Sequence, residues 1–126
     1  TYGGNPLAMA AGNAVMDVML EPGFLDHVND MANQFKQGLA SIVDRFPSVF
    51  AEVRGSGLLC GLKCVVPKHD VFLALRDRNI LSVTAGDNAL RLLPPLTVTA
   101  DEIRIALDGI EAVAREITES AGRKAG

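Results

Sequence analysis

Two places in this sequence carry residues suited to binding an anion. At the first, Thr1 precedes the glycine pair Gly3 and Gly4, and Asn5 and Pro6 follow as a helix N-cap and first helical residue. Glycines let backbone amides approach a ligand closely, a threonine hydroxyl adds a donor, and a helix N-terminus favours negative charge. This corner predicts an anion site, often for phosphate; the alternative is a solvated turn before an ordinary helix.

The second place is Arg91, in an expected strand over residues 89–93. The alternation of side chains along a strand sets Leu90 and Leu92 on one face and turns Arg91 to the other. The prolines at 94–95 then end the strand, because proline cannot donate to a ladder. A guanidinium fixed there could hold a carboxylate through two parallel hydrogen bonds. The alternative is an arginine on the solvent face of a half-buried sheet.

Cys60 and Cys64 are expected to be buried and inert. They lie four residues apart in a predicted strand, which places their α-carbons roughly 13 Å apart on one face. A disulfide needs less than about 7 Å. His27 and His69 stand in separate segments that match no recurrent zinc spacing. The sequence therefore predicts neither a disulfide nor a metal site.

Periodic patterns place these candidates in an α+β fold. The pattern predicts helices over residues 6–20, 25–46, 70–78 and 100–119, strands over 80–84 and 89–93, and a β region over 49–66 that fits two strands or one strand bent at glycines. The first helix is apolar on nearly every side and is expected to be buried. Asp70 is a candidate cap for the third helix, and Thr99 with Glu102 forms a capping box for the last. Short links between strands favour a small antiparallel sheet covered by helices on one face.

Composition limits the classes of function. The chain has 126 residues, 48% of them hydrophobic, which is enough for one packed core. Its formal charge is -3, with one Tyr and no Trp, so nucleic acid is not an expected partner. The sequence shows no membrane-length apolar run and no signal-peptide pattern, which makes a cytoplasmic setting the default expectation.

Three segments resemble, in order and spacing, the C-terminal part of the class III pyridoxal-phosphate-dependent aminotransferases. They are Thr-Tyr-Gly-Gly-Asn-Pro-Leu-Ala at 1–8, Val-Arg-Gly-Ser-Gly-Leu-Leu at 53–59, and Leu-Arg-Leu-Leu-Pro-Pro-Leu at 90–96 with Asp-Glu-Ile at 101–103. The resemblance implies the C-terminal domain of a fold-type I pyridoxal-phosphate transferase. It implies a cofactor-phosphate loop and interdomain helix at 1–22, a small domain at 23–119 and a flexible tail at 120–126.

The resemblance also implies roles for individual residues. Thr1 would reach the phosphate of pyridoxal 5'-phosphate bound in the partner subunit of a homodimer. Arg91 would hold the α-carboxylate of the amino-acid substrate and of the 2-oxo acid that replaces it. Arg54 would be mainly structural, shaping the first strand of the small domain.

The catalytic residues of such enzymes would precede Thr1. These are the Schiff-base lysine and the aspartate that pairs with the pyridine nitrogen. The lysines of this chain lie in contexts typical of a helix surface, a strand, a turn and a tail, namely Lys36, Lys63, Lys68 and Lys124. No substitute nucleophile is expected, so the chain by itself is expected to be inactive.

The resemblance is greatest to the members that transfer the amino group of N-acetylornithine to 2-oxoglutarate, in arginine biosynthesis. Ornithine, succinylornithine or 4-aminobutyrate as amino donor remains an alternative. A non-catalytic, stand-alone α+β binding module is a further alternative, against which the missing start methionine argues.

Overall fold

The computed structural model describes residues 1–124 as four helices and a four-stranded sheet. In chain order the elements are α1 (Pro6–Met19), α2 (Phe24–Arg45), β1 (Phe50–Ser56), β2 (Leu59–Cys64), α3 (Lys68–Arg76), β3 (Val83–Ala85), β4 (Ala89–Leu92) and α4 (Ala100–Lys124). The strands are antiparallel in the order β1-β2-β4-β3. The expected α+β class is confirmed, and the β region over 49–66 is a pair of strands.

Helices α2 and α4 pack on one face of the sheet because each carries a single apolar stripe at three-to-four spacing. The stripes contribute Phe35, Leu39 and Ile42 from α2 and Ile103, Ile110 and Val113 from α4, all buried. Leu62 of β2 and Leu90 of β4 meet them from the sheet and are fully buried. Burying one such side chain contributes roughly 1.5 to 3 kcal/mol. The core therefore lies between this helix pair and one sheet face, which leaves Arg54 and Arg91 exposed on the other.

Helix α3 begins earlier than the sequence suggests and has a different cap. Asp70 does not cap it: the helix starts at Lys68, and Asp70 lies in its first turn. The side chain of Asn88 supplies the cap, because its Oδ1 accepts a hydrogen bond from the Lys68 backbone N–H at 3.0 Å. Asn88 comes from the turn before β4, twenty residues along the chain, so no local pattern could reveal it.

Strand β3 starts at Val83, three residues after the expected start at Ile80. The Ile80 N–H instead donates to the Leu75 carbonyl at 3.0 Å, which closes the end of α3. Asn79 adopts a positive φ of 59° in the same closure. The β-branched residue Ile80 is thus committed to the helix end and is unavailable to the sheet.

Helix α4 starts as the capping box predicts. The Glu102 carboxylate accepts hydrogen bonds from the N–H and the hydroxyl of Thr99, at 2.8 and 2.9 Å, and the Glu102 N–H donates to the Thr99 hydroxyl. The helix continues to Lys124, five residues beyond its expected end. Residues 120–124 are therefore helical, and the last two residues of the expected tail lie outside the described part of the chain.

Helix α1 departs from its expected burial. None of its residues is buried within this chain, and its large apolar side chains are exposed, with Leu7 at 82% and Val15 at 57%. Its N-terminus is nevertheless the expected one: Asn5 is the N-cap, and its Oδ1 accepts from the Ala8 N–H at 2.9 Å. The boundaries at residues 22, 23 and 119 remain predictions.

Candidate functional site

Arg91 lies in the middle of the sheet face that the helices leave uncovered. In the register of the sheet, Arg91 of β4 pairs with Gly61 of β2 on one side and with Val83 of β3 on the other. Gly61 in turn pairs with Arg54 of β1. One row across the sheet therefore reads Arg54, Gly61, Arg91, Val83, and it places the α-carbons of the two arginines roughly 10 Å apart.

Arg54 is occupied by two carboxylates. Its Nε donates to Glu52 at 2.6 Å, and its Nη1 lies 2.7 Å from Asp87 Oδ2. Lys63 Nζ reaches the same Asp87 oxygen at 3.0 Å. The Lys63 ammonium and the Arg54 guanidinium hold the pKa of the Asp87 carboxyl below its ordinary value. Hydrogen bonds to Asp87 and Glu52 raise the pKa of Arg54. Two cations and two anions thus neutralise one another.

Arg91 differs from Arg54 in having no ion pair or side-chain hydrogen bond within the described part of the chain. It borders a cavity of about 290 Å³ with Leu81, Ser82, Val83 and Leu93. On its other side it borders a cavity of about 180 Å³ that Arg54, Gly61 and Ala85 also line. An exposed guanidinium between two openings, with its donors uncommitted, is arranged to receive an anion from outside the chain.

Thr1 lies in an exposed turn apart from this row. Gly4 has a φ of 76°, which only glycine adopts without strain, and a Cβ at Gly3 would contact nothing within 4 Å. Asn5 closes the corner by donating from its side chain to the Tyr2 carbonyl at 2.7 Å. The cavities beside Arg91 are lined by residues from Arg54 onward, so the chain does not bring Thr1 and Arg91 into one pocket.

A further cavity contains neither of these residues. It has about 600 Å³ and lies between α4 and the segment 92–98, with an apolar lining that includes Leu93, Pro95, Val98 and Ile105. Glu102 is its carboxylate, and that group is engaged by Thr99. This cavity therefore presents no uncommitted charged group.

The two thiols have the expected environment. Cys60 and Cys64 are free and buried on the core side of β2. Burial raises the pKa of the Cys64 thiol to about 11 and raises that of Cys60 as well. Neither provides a thiolate at neutral pH. Among the described side chains, no group of three or more His, Cys, Asp and Glu is close enough to hold a metal ion.

The described lysines are engaged in structural contacts. Lys36 Nζ donates to the Gly55 carbonyl at 2.9 Å, Lys68 Nζ donates to the Ala85 carbonyl, and Lys63 pairs with Asp87. These contacts leave none of the three placed in a buried apolar pocket as a nucleophile.

Sequence reasoning missed three residues beside Arg91. Asp87 occupies Arg54, Gly61 leaves space beside Arg91, and Ser82 borders the larger of its two cavities with a buried Oγ that has no hydrogen-bond partner among the described residues. A glycine inside a predicted strand was the one available signal, because such a glycine often marks a close approach.

A small antiparallel sheet with helices on one face and an uncommitted arginine on the other defines an α+β domain suited to binding a carboxylate. The chain belongs to the class-III aminotransferase family, whose sequence pattern matches residues 1–114. Members of this family are pyridoxal-phosphate enzymes.

Relatives in this family share much of the sequence. The chain is 58% identical over 118 residues to a protein of Brucella melitensis named acetylornithine aminotransferase, covering 94% of this chain and 29% of that protein. It is 53% identical over 125 residues to acetylornithine aminotransferase 1 of Bradyrhizobium diazoefficiens, covering 99% of this chain and 31% of that protein. The chain therefore spans about a third of the length of these relatives.

Solved structures show the same fold. Acetylornithine aminotransferase from Elizabethkingia anophelis matches with a TM-score of 0.84 at 27% identity, over 92% of this chain and 31% of that one. Ornithine aminotransferase from Toxoplasma gondii also matches with a TM-score of 0.84, at 29% identity, over 95% of this chain and 29% of that one.

Over residues 1–124, no helix combines the length and the apolar character that crossing a membrane requires.

Proposed function

We propose that this chain is the C-terminal part of a pyridoxal-phosphate-dependent enzyme that transfers the amino group of N-acetylornithine to 2-oxoglutarate. The observation that carries the proposal is the position of Arg91, exposed in mid-sheet with no carboxylate of the described chain bound to it. The names of the relatives support acetylornithine as the amino donor.

Arg91 binds the α-carboxylate that both substrates share. A guanidinium presents two parallel N–H donors, which match the two oxygens of a carboxylate and fix its orientation. Glu52 and Asp87 are the nearby competitors on the sheet face, and Arg54 and Lys63 occupy them. The incoming carboxylate therefore meets a guanidinium that has no internal partner to give up.

Thr1 would donate a hydrogen bond from its hydroxyl to the cofactor phosphate of the partner subunit in a homodimer. The exposed glycine turn around it fits this role, because Gly3 and Gly4 leave the backbone open to a ligand. Pyridoxal phosphate supplies the electron sink for amino-group transfer when it is bound. The chain by itself does not transaminate. Its described lysines donate to backbone carbonyls or to Asp87, so none of them is available to form a Schiff base with the cofactor. The complete enzyme works in the cytoplasm.

Replacement of Arg91 in the full-length enzyme tests the proposal. Arg91→Ala should raise KM for the amino donor and for 2-oxoglutarate together, by on the order of a hundredfold, because one charge-assisted contact serves both. Arg91→Lys should recover part of the loss, since an ammonium keeps the charge without the planar fork. An unchanged KM for both substrates in Arg91→Ala would sink the assignment.

Two other functions remain to be separated by experiment. The structural match to an ornithine aminotransferase favours ornithine as the next candidate donor, and succinylornithine and 4-aminobutyrate follow. A profile of these donors against N-acetylornithine, with the purified full-length enzyme, distinguishes them. A stand-alone binding module would keep its apolar surface covered, whereas Leu7 and Val15 are exposed here.

A further inference from the structure

Gly61 occupies a position where glycine weakens the sheet. It lies inside β2, an inner strand paired to β1 on one side and to β4 on the other. Glycine in a strand loses more backbone entropy than other residues and offers no side chain to pack. Its presence there needs a reason other than strand stability.

The backbone supplies no such reason. The φ of Gly61 lies outside the left-handed region, and a Cβ built there would lie 3.7 Å from Arg54 Cβ and 4.0 Å from the carbonyl oxygens of Arg54 and Leu90. These are ordinary van der Waals distances, so alanine fits. Gly55 in β1 contrasts with it: its φ is 111°, and a Cβ there would lie 2.0 Å from the Leu59 carbonyl oxygen.

The missing side chain opens space next to Arg91. Gly61 and Arg91 are register partners, and both line the cavity of about 180 Å³ that Arg54 and Ala85 also border. On the opposite side of Arg91, the same row holds the side chain of Val83. Position 61 is therefore the place in this row that carries no side chain, and the cavity of about 290 Å³ lies on the β3 side of Arg91.

The charges beside this opening direct an anion to Arg91. Arg54, which lines the cavity of about 180 Å³ together with Arg91, is bound to Glu52 and Asp87. Arg91 has no partner among the described residues, so it is the cation with free donors at the opening.

We propose that Gly61 is a positioning residue for substrate: its lack of a side chain keeps open the approach by which the α-carboxylate of a 2-amino or 2-oxo acid reaches Arg91. This inference rests on the proposed function of Arg91. It adds that the size of residue 61, at constant charge, sets the affinity for both substrates.

A size series at position 61 of the full-length enzyme tests the inference. Gly61→Ala, Gly61→Ser and Gly61→Val should raise KM for both substrates in that order, from about twofold to at least roughly tenfold, with kcat changed by less than about threefold. Calorimetric titration with glutarate, a non-reactive dicarboxylate, should show the same loss of affinity. Tm should stay equal or rise, because valine favours strands. Ala51→Val, at an exposed position of β1 that borders neither cavity beside Arg91, is the control and should leave KM unchanged.

Each outcome of the series is decisive. A KM and a glutarate affinity that do not follow side-chain size overturn the inference. A lower Tm in Gly61→Ala also overturns it, because the glycine would then serve the fold. If Gly61→Val folds poorly, the alanine and serine variants give the trend. Arg91→Ala separates the two proposals: if it leaves KM unchanged, the function assigned to Arg91 fails, and if it alone raises KM, only the role of Gly61 fails.

Discussion

The guanidinium of Arg54 and the carboxylate of Asp87 form an ion pair, with 2.7 Å between Nη1 and Oδ2, that joins edge strand β1 to the turn between β3 and β4. The pair passes over β2, where Lys63 binds the same carboxylate oxygen. The charges of Arg54, Lys63 and Asp87 therefore compensate one another. Arg91 is left as the cation of this sheet face that has no partner within the described chain.

Asp87→Asn should change how stability depends on pH. Lys63 and Arg54 hold the pKa of the folded Asp87 below its ordinary 3.8, so its contribution is fully present above that pH and is lost as pH falls through the lowered pKa. The wild type should therefore lose stability more steeply than Asp87→Asn below about pH 4. Thermal unfolding of both proteins across that range measures the difference.

Salt provides the control for this prediction. The Asp87 side chain is 57% exposed, so 1 M salt should screen the interaction and bring the two pH profiles together. Profiles that coincide at low salt would show that the ion pair contributes no stability.

Asn88→Ala should destabilise the full-length protein by roughly 2 to 4 kcal/mol, because three hydrogen bonds are lost at once. The Asn88 side chain donates to the carbonyls of Cys64 and Val66, at 2.7 and 2.8 Å, and accepts from the Lys68 N–H. Urea unfolding provides the measurement.

Asn88→Gly separates the hydrogen bonds from the backbone. Asn88 has a φ of 50°, which glycine adopts freely and alanine does not. The glycine variant should therefore be about 1 kcal/mol less destabilised than the alanine variant. Equal losses would mean that the positive φ carries no cost.

Gly55→Ala and Gly61→Ala should have opposite effects on stability. The Cβ at Gly55 would lie 2.0 Å from the Leu59 carbonyl oxygen, so the hairpin must distort, with an expected loss of at least roughly 2 kcal/mol. At Gly61 the Cβ fits, and alanine should be neutral or stabilising by about 0.5 kcal/mol. Unfolding of the two variants side by side checks both signs, and a large loss at Gly61 would contradict the geometry.

The exposed face of α1 should bind a hydrophobic dye when the chain is expressed alone. Leu7 is 82% and Val15 57% exposed, and neighbouring apolar side chains of the helix are exposed as well. Leu7→Gln combined with Val15→Gln should lower dye fluorescence and reduce self-association, measured by sedimentation. Val65→Gln is the control, because Val65 is 56% exposed and lies after β2, outside α1. An equal decrease in both variants would contradict a contiguous patch on α1.

Local patterns in the sequence were sufficient to predict most of the secondary structure and the family. Apolar residues at three-to-four spacing located α2 and α4, and alternation in β4 put Leu90 inside and Arg91 outside, as the structure has them. The Thr99–Glu102 capping box fixed the start of α4. These features depend on residues close in the chain, so a local pattern is sufficient to reveal them.

The surroundings of Arg91 depend on contacts between distant segments of the chain. The capture of Arg54 by Asp87, the cap that Asn88 provides for α3 and the gap that Gly61 leaves all join segments at least twenty residues apart. Each depends on the order β1-β2-β4-β3 and on the register between the strands. A shift of one residue in that register would turn a side chain to the opposite face, and such long-range pairing leaves no periodic signal in the sequence.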